Sequence, residues 1–182
     1  MSKHWKPWLL LLFFLAGLAA TYELWRSRRE GSQDDVIHAA AIRYGVDPAL
    51  IKAVVWRESW FNPNSRGRVG EIGLMQVGKD AAGEWARAEG VASFTPLHLF
   101  DPGTNTMAGT WFLRRMLRRY PRTDNPLLYA LAAYNAGATH VTRWSTGSGA
   151  TNSTAFIKQI DFPSTKKYVM TVIKQQRHYA KH

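Results

Sequence analysis

Four prolines in this chain stand at the head of apolar runs with helical spacing: Asp47-Pro48, Asp101-Pro102, Asn125-Pro126 and Phe162-Pro163. Proline at the first helical position gives up an N–H that would be unpaired anyway, and an Asp or Asn before it accepts from the first turn. The runs that follow carry Ile51 to Val55, Trp111 and Leu117, Leu131 to Tyr134, and Tyr168, Val172 and Tyr179. A further helix is expected to open at a capping-box pattern, Ser32 with Asp35, and to stop at Gly45 after Tyr44. Strand patterns are sparse, so the spacing predicts a mainly α domain of six or seven helices. The Ser/Gly/Thr-rich segment 145–154 reads as a flexible surface loop.

With 182 residues, of which 46% are hydrophobic, the chain can bury one proper core. It has no cysteine, which excludes disulfides, thiol catalysis and Cys-ligated zinc. The six histidines show no paired ligand spacing, so no metal and no cofactor are expected. The net charge is +11, and the excess persists beyond residue 30, where 19 basic face 11 acidic residues. Such a balance favours an anionic partner without naming one. Arg114, Arg115, Arg118, Arg119 and Arg122 form a basic run, but no nucleic-acid-binding signature accompanies it, and no nucleic-acid partner is expected.

At the N-terminus, Lys3 and Lys6 precede an uncharged run from Pro7 to Tyr22 with aromatic residues at both ends. This is the composition of an export signal or a membrane anchor. The run is short for a spanning helix unless Leu24 and Trp25 extend it, and Gly17-Leu18-Ala19 offers a small-residue cleavage site. Arg26, Arg28 and Arg29 follow it within a charged linker, "RSRREGSQ", so charge counting alone leaves the orientation open. The expected division is an anchor or signal plus linker over residues 1–30 and a folded domain over 31–182.

One residue does not fit its helix. Glu58 lies three, four and seven residues after Val55, Val54 and Ile51, which places a carboxylate on an apolar stripe in the last helical turn. Desolvation and the negative end of the helix dipole both disfavour its charged form, so its pKa should rise. A protonated glutamic acid near neutral pH can donate to a leaving oxygen, as glycoside cleavage requires. Alternatively, its head reaches water along an apolar stem.

Four motifs follow in order: "ESWFNPNS" with Glu58 and Ser59, "GLMQV" from Gly73, "AYNAG" from Ala133 and "PSTKKYV" with Tyr168. This set resembles the soluble lytic transglycosylase family, whose lysozyme-like fold is shared with goose-type lysozyme, from about residue 33 to 179. The resemblance implies a helical domain with a saccharide groove, in the cell envelope on the periplasmic or extracytoplasmic side, anchored to the inner membrane by residues 7–25 or released after signal cleavage. It implies Glu58 as the single acid and then base, with Ser59 beside it. Met75 and Gln76 would line the groove, Tyr134 would orient the carboxyl, Asn135 would contact an N-acetylated sugar, and Tyr168 would lie near the acid.

The implied reaction cuts the β-1,4 bond between N-acetylmuramic acid and N-acetylglucosamine and closes the muramic C6 hydroxyl onto C1, leaving a 1,6-anhydro sugar. The implied partners are peptidoglycan strands and, through the N-terminal segment, a membrane; a monomer is expected. Other readings stay open at this point. Gly73-Leu74 could be a turn entering a helix, Tyr134 and Tyr168 core aromatics, and Asn135-Ala136-Gly137 a helix C-cap. Glu71 could hold a water for true hydrolysis, or the chain could be a wall-binding protein without catalysis. The sequence also departs from the family pattern: "VGKDAAGEW" follows "GLMQ" where Pro is common, Ala138 replaces a frequent Pro, and "PST" stands where a Glu-Thr pair is often found.

Overall fold

The computed structural model describes residues 6–181; Lys3 of the basic start lies outside them. Among the described residues there are nine α-helices and no strand. They are α1 (Lys6–Gly31), α2 (Asp34–Tyr44), α3 (Pro48–Ser59), α4 (Lys79–Ala88), α5 (Pro102–Arg119), α6 (Pro126–Ala136), α7 (Ala138–Trp144), α8 (Ser153–Gln159) and α9 (Pro163–Tyr179). All four prolines stand at the first position of their helices. The Asp47 carboxylate accepts from the Ala49 N–H and the Asp101 carboxylate from the Thr104 N–H, whereas Asn125 makes no side-chain cap.

α3 is the central helix, with Ile51, Ala53, Val54 and Val55 fully buried. It packs chiefly against α9, while α5 packs against α2, α4 and α6. Tyr129 of α6 stacks on Phe156 of α8 at 3.9 Å between ring centres and closes the far end of the core.

Four expectations differ from the structure. The linker "RSRREGSQ" is not a separate spacer: α1 continues through it to Gly31. The Ser32 hydroxyl does not cap α2 but donates to the Arg29 carbonyl, and α2 starts after Gln33 with no side-chain cap. Intrahelical pairing explains the continuity, since Arg26 bonds Glu30 one turn on at 3.1 Å and also pairs with Glu23.

The segment 145–154 is likewise structured. It contains a 3-10 turn over Gly147–Ala150, and the buried Gly149 carbonyl accepts from the Tyr129 hydroxyl at 2.9 Å. Asp124 caps Ser153 from across the fold. Polar composition alone gave no hint of these partners. With α4, α7 and α8 counted, the folded part holds eight α-helices beyond α1, more than the sequence pattern resolves, because α7 and α8 are only seven residues each.

The last two turns of α1 are docked. Trp25 stacks on Trp60 at 5.7 Å, and Arg29 lies over both rings while its Nε–H donates to the Trp60 carbonyl at 2.7 Å. Trp60 caps α3 in the left-handed region (φ 55°), and Phe61 follows it there (φ 60°). A non-glycine residue in that region costs about 1–2 kcal/mol, so two in succession need support. Phe61 has it in the core, at 3% exposure, and Trp60 has it from α1. Ahead of this contact, the side chains from Trp8 to Leu15 and Leu18 are exposed, and the helix is long and apolar enough to cross a membrane.

Removing the clamp with Trp25→Ala/Arg29→Gln should cost about 2 kcal/mol, one aromatic pair and one charged hydrogen bond discounted for partial exposure. In the full chain in detergent micelles this lowers the thermal midpoint by about 4–8 °C. An unchanged midpoint would show that the helix merely lies alongside the domain.

Candidate active site

Glu58 sits one residue before the end of α3 and lines a groove of about 870 Å³. Its walls include Arg57, Arg68, Glu71, Gln76, Phe112 and Asn135. The volume is within the range of ligand-binding clefts, roughly 300–1,000 Å³. The Tyr168 hydroxyl, reaching from α9, donates to Glu58 Oε1 at 2.7 Å.

Burial raises the Glu58 pKa from 4.5 to about 7, and the Glu71 charge pushes in the same direction; the Tyr168 hydrogen bond and the Arg57 charge pull it down. The buried Tyr168 and the partly buried Tyr134 have pKa values raised well above the ordinary phenol value, first by desolvation and then by the Glu58 charge, so both remain neutral. A phenol held neutral next to the carboxyl can donate a hydrogen bond but not compete for its proton.

The "GLMQ" segment is a tight turn built for this wall. Ile72 and Val77 exchange backbone hydrogen bonds at 3.1 and 3.0 Å, and Gly73 (φ 79°) and Gln76 (φ 47°) bend the chain between them. A Cβ on Gly73 would lie 2.2 Å from Asn105 Nδ2 and 2.5 Å from the Leu99 carbonyl, so no side chain fits there. Asn105, fully buried on α5, accepts from the Met75 N–H at 2.8 Å and donates to the carbonyls of Ile72 and Leu99 at 2.7 and 2.8 Å. One amide thus satisfies two backbone groups of the turn and ties it to the Leu99 carbonyl of the segment before α5.

The structure brings Glu58, Gln76, Tyr134 and Asn135 together along the groove. Other residues expected to contact substrate stand behind it. The Met75 side chain is fully buried against Gly109, and the Ser59 hydroxyl is turned inward, donating to the Val55 carbonyl at 3.1 Å. Tyr168 is 1% exposed and reaches the groove only through Glu58. The orienting contact expected of Tyr134 belongs to Tyr168, because the Tyr134 hydroxyl donates to the Met75 carbonyl at 2.8 Å. Gln76 Nε2 is spent on the carbonyls of Ser65 and Gly73. Asn135 Oδ1 accepts from the Thr165 hydroxyl at 2.9 Å, which leaves its amide nitrogen as the group available to a ligand. The C-cap reading of this motif also holds, since Gly137 ends α6 with its N–H on the Ala133 carbonyl.

Glu71 Oε2 accepts from the Val69 N–H at 3.2 Å while its carboxylate faces the groove. Among the described residues no group of three or more His, Asp or Glu side chains comes together. The sequence reading missed Asn105, Arg57, Phe112 and Ser164 of "PST", which also lines the groove. Asn105 carried the same signal as Glu58: it lies three, four and seven residues before Ala108, Gly109 and Phe112, a polar group on an apolar stripe.

A raised folded-state pKa means that the folded protein holds the Glu58 proton more tightly than the unfolded chain. The contribution of Glu58 to stability is therefore complete below the unfolded value of 4.5 and is lost as pH climbs through about 7, by up to about 3 kcal/mol. Glu58→Gln should lack this decline and be more stable than the parent at pH 8 while matching it at pH 4, as read from denaturant unfolding. Equal pH profiles would mean that Glu58 titrates as an exposed acid. Asn105→Ala should cost about 3 kcal/mol or more at any pH, because buried turn groups lose their partners.

The transglycosylase SLT domain family matches residues 35–157. The soluble lytic murein transglycosylase of Escherichia coli K12 is 32% identical over 129 residues, 70% of this chain and 20% of that protein. The membrane-bound lytic murein transglycosylase C of Shigella sonnei is 40% identical over 114 residues, 59% of this chain and 32% of that protein. Among solved structures, the 70 kDa soluble lytic transglycosylase of Escherichia coli superposes with a TM-score of 0.72 at 27% identity, covering 81% of this chain and 24% of that one. This chain therefore spans a fifth to a third of the length of these relatives. Its helices, its groove and its matched segment make it a member of the transglycosylase SLT domain family, with the lysozyme-like all-α fold.

Proposed function

We propose that this protein is a peptidoglycan lytic transglycosylase in which Glu58 serves as acid and then as base. The observation that carries the reading is the Glu58 carboxyl, raised to about 7 and held by a neutral tyrosine, in a groove large enough for a glycan. Glu58 first protonates the oxygen linking N-acetylmuramic acid to N-acetylglucosamine, and the muramic acetamide stabilises the cation-like carbon. Then the same carboxylate takes the proton of the muramic C6 hydroxyl, which closes on C1. A pKa near the working pH suits a group that must give and take a proton in turn.

In this reading Asn135, with its oxygen engaged by Thr165, offers its amide nitrogen to an N-acetyl group, and Gln76 and Phe112 line the strand. Tyr168 is a positioning residue, acting through Glu58. Residues 1–30 serve as anchor and residues 31–182 as the catalytic part, with α1 retained in the membrane and the groove on the extracytoplasmic side. Exposed apolar side chains along α1 and its docking on Trp60 support a retained helix over one that is cut away. Hydrolysis is the second reading, favoured by one observation: Glu71 shares the groove and could hold a water.

Purified sacculi digested with the full chain and analysed by mass spectrometry test both. The expected products end in 1,6-anhydro-N-acetylmuramic acid, Glu58→Gln lowers their yield by at least about 100-fold, and Glu71→Gln leaves their chemistry unchanged. New reducing ends that vanish in Glu71→Gln would overturn the transglycosylase reading in favour of hydrolysis. Full activity in Glu58→Gln would remove both.

A further inference from the structure

A second concavity, of about 470 Å³, lies outside the catalytic groove and is lined by Arg43, Tyr44, Glu89, Trp111, Arg114, Arg115 and Arg118. Trp111, Arg114, Arg115 and Arg118 fall at steps of three, four and seven residues, one stripe of α5. Arg43 and Tyr44 come from the end of α2 and face that stripe, with the Tyr44 hydroxyl held by Trp85 Nε1 at 2.9 Å. The cleft thus has an arginine rim from two helices and an aromatic floor, with Arg115 5.7 Å from the centre of the Trp111 ring.

Its charge is only partly answered from within. Arg43 pairs with Glu89 at 2.6 Å and Arg115 pairs with Glu84. Arg114 and Arg118 make no ion pair among the described residues, and Arg114 Nε is buried without a hydrogen-bond partner. A buried donor of this kind normally finds an acceptor. Four guanidinium groups line the cleft against one carboxylate, Glu89. Planar guanidinium forks match carboxylates in two-pronged geometry, and a tryptophan face accepts aliphatic or sugar surface.

We infer that this arginine cleft is a second substrate contact, which holds the carboxylates of peptides branching from the glycan strand. α5 connects the two sites: Phe112 lines the catalytic groove and its neighbour Trp111 lines the cleft. A polymer whose sugar chain enters the groove would present its peptide branches to adjacent faces of the same helix. Carboxylates of such branches meet Arg114 and Arg118, while Arg43 and Arg115 stay fixed by their glutamates. The inference rests on the proposed peptidoglycan substrate and assigns a different part of it to a different surface.

Binding of the full-length Glu58→Gln protein, in detergent, to insoluble sacculi tests this without turnover. Adding Arg114→Gln/Arg118→Gln should weaken binding by about tenfold or more, equivalent to about 1.4 kcal/mol, and flatten its salt dependence. The charge-matched pair Arg119→Gln/Arg122→Gln, which lies outside the cleft, should change binding far less. On glycan strands stripped of peptide, the two pairs should behave alike.

Equal losses from both pairs on intact sacculi would reduce the effect to net charge and overturn the proposal. So would an Arg114/Arg118 effect that persists on stripped glycan, or one seen only with vesicles of anionic phospholipid. Should the wild-type chain release no anhydro product while the peptide-dependent loss is still observed, the cleft assignment stands and the transglycosylase reading falls.

Discussion

A carboxyl group in the last turn of a buried helix is the constraint around which this fold is arranged. α3 could have ended in an apolar residue like those at its preceding positions, and its core would be simpler. Instead Glu58 is desolvated, and the Tyr168 hydroxyl from α9 answers it at 2.7 Å. That bond favours the charged form and burial favours the neutral one; burial wins, and the balance falls near neutrality. The packing of α3 against α9 therefore sets a chemical property as well as a stability, since any movement between the two helices changes both the burial of the carboxyl and its hydrogen bond.

Backbone strain collects around this point. α3 stops through two successive left-handed residues, Trp60 and Phe61, and the opposite wall bends through Gln76 in the same region. Each has its own support: Trp60 from α1, Phe61 from the core, and Gln76 from its own side-chain amide on the carbonyls of Ser65 and Gly73. Strain of this kind persists only where surrounding contacts over-determine it. The docking of α1 on Trp60 places the proposed membrane anchor in direct contact with the cap of the helix that carries the acid. α5 does comparable work on the other side, with Asn105 fixing the turn, Phe112 forming groove wall and the arginine stripe on the adjacent face.

Much of this was legible in the sequence where local chemistry decided the outcome. The four prolines fixed where the long helices begin, and the interruption of an apolar stripe singled out Glu58. What was illegible depended on partners distant in the chain. The segment 145–154 has loop composition, yet Tyr129 and Asp124 supply bonds that order it. The linker after the apolar run is helical because its own charges pair along the helix and Trp60 receives its end. The family resemblance located Tyr134 and Tyr168 near the acid but gave the orienting hydroxyl to Tyr134, whereas the packing of α9 brings the Tyr168 hydroxyl to Glu58 and Tyr134 turns to the Met75 carbonyl. It could not show that Met75 and Ser59 turn inward either, because a motif records which residues occur and not which way they face.

The central claim is that burial holds the Glu58 proton to near neutral pH. Titration of the Glu58 carboxyl in the full-length protein by carbon-13 NMR, assigned by its loss in Glu58→Gln, measures that directly. A midpoint close to 7 is the predicted result. A midpoint close to 4.5, the value of a solvated glutamate, would contradict the account.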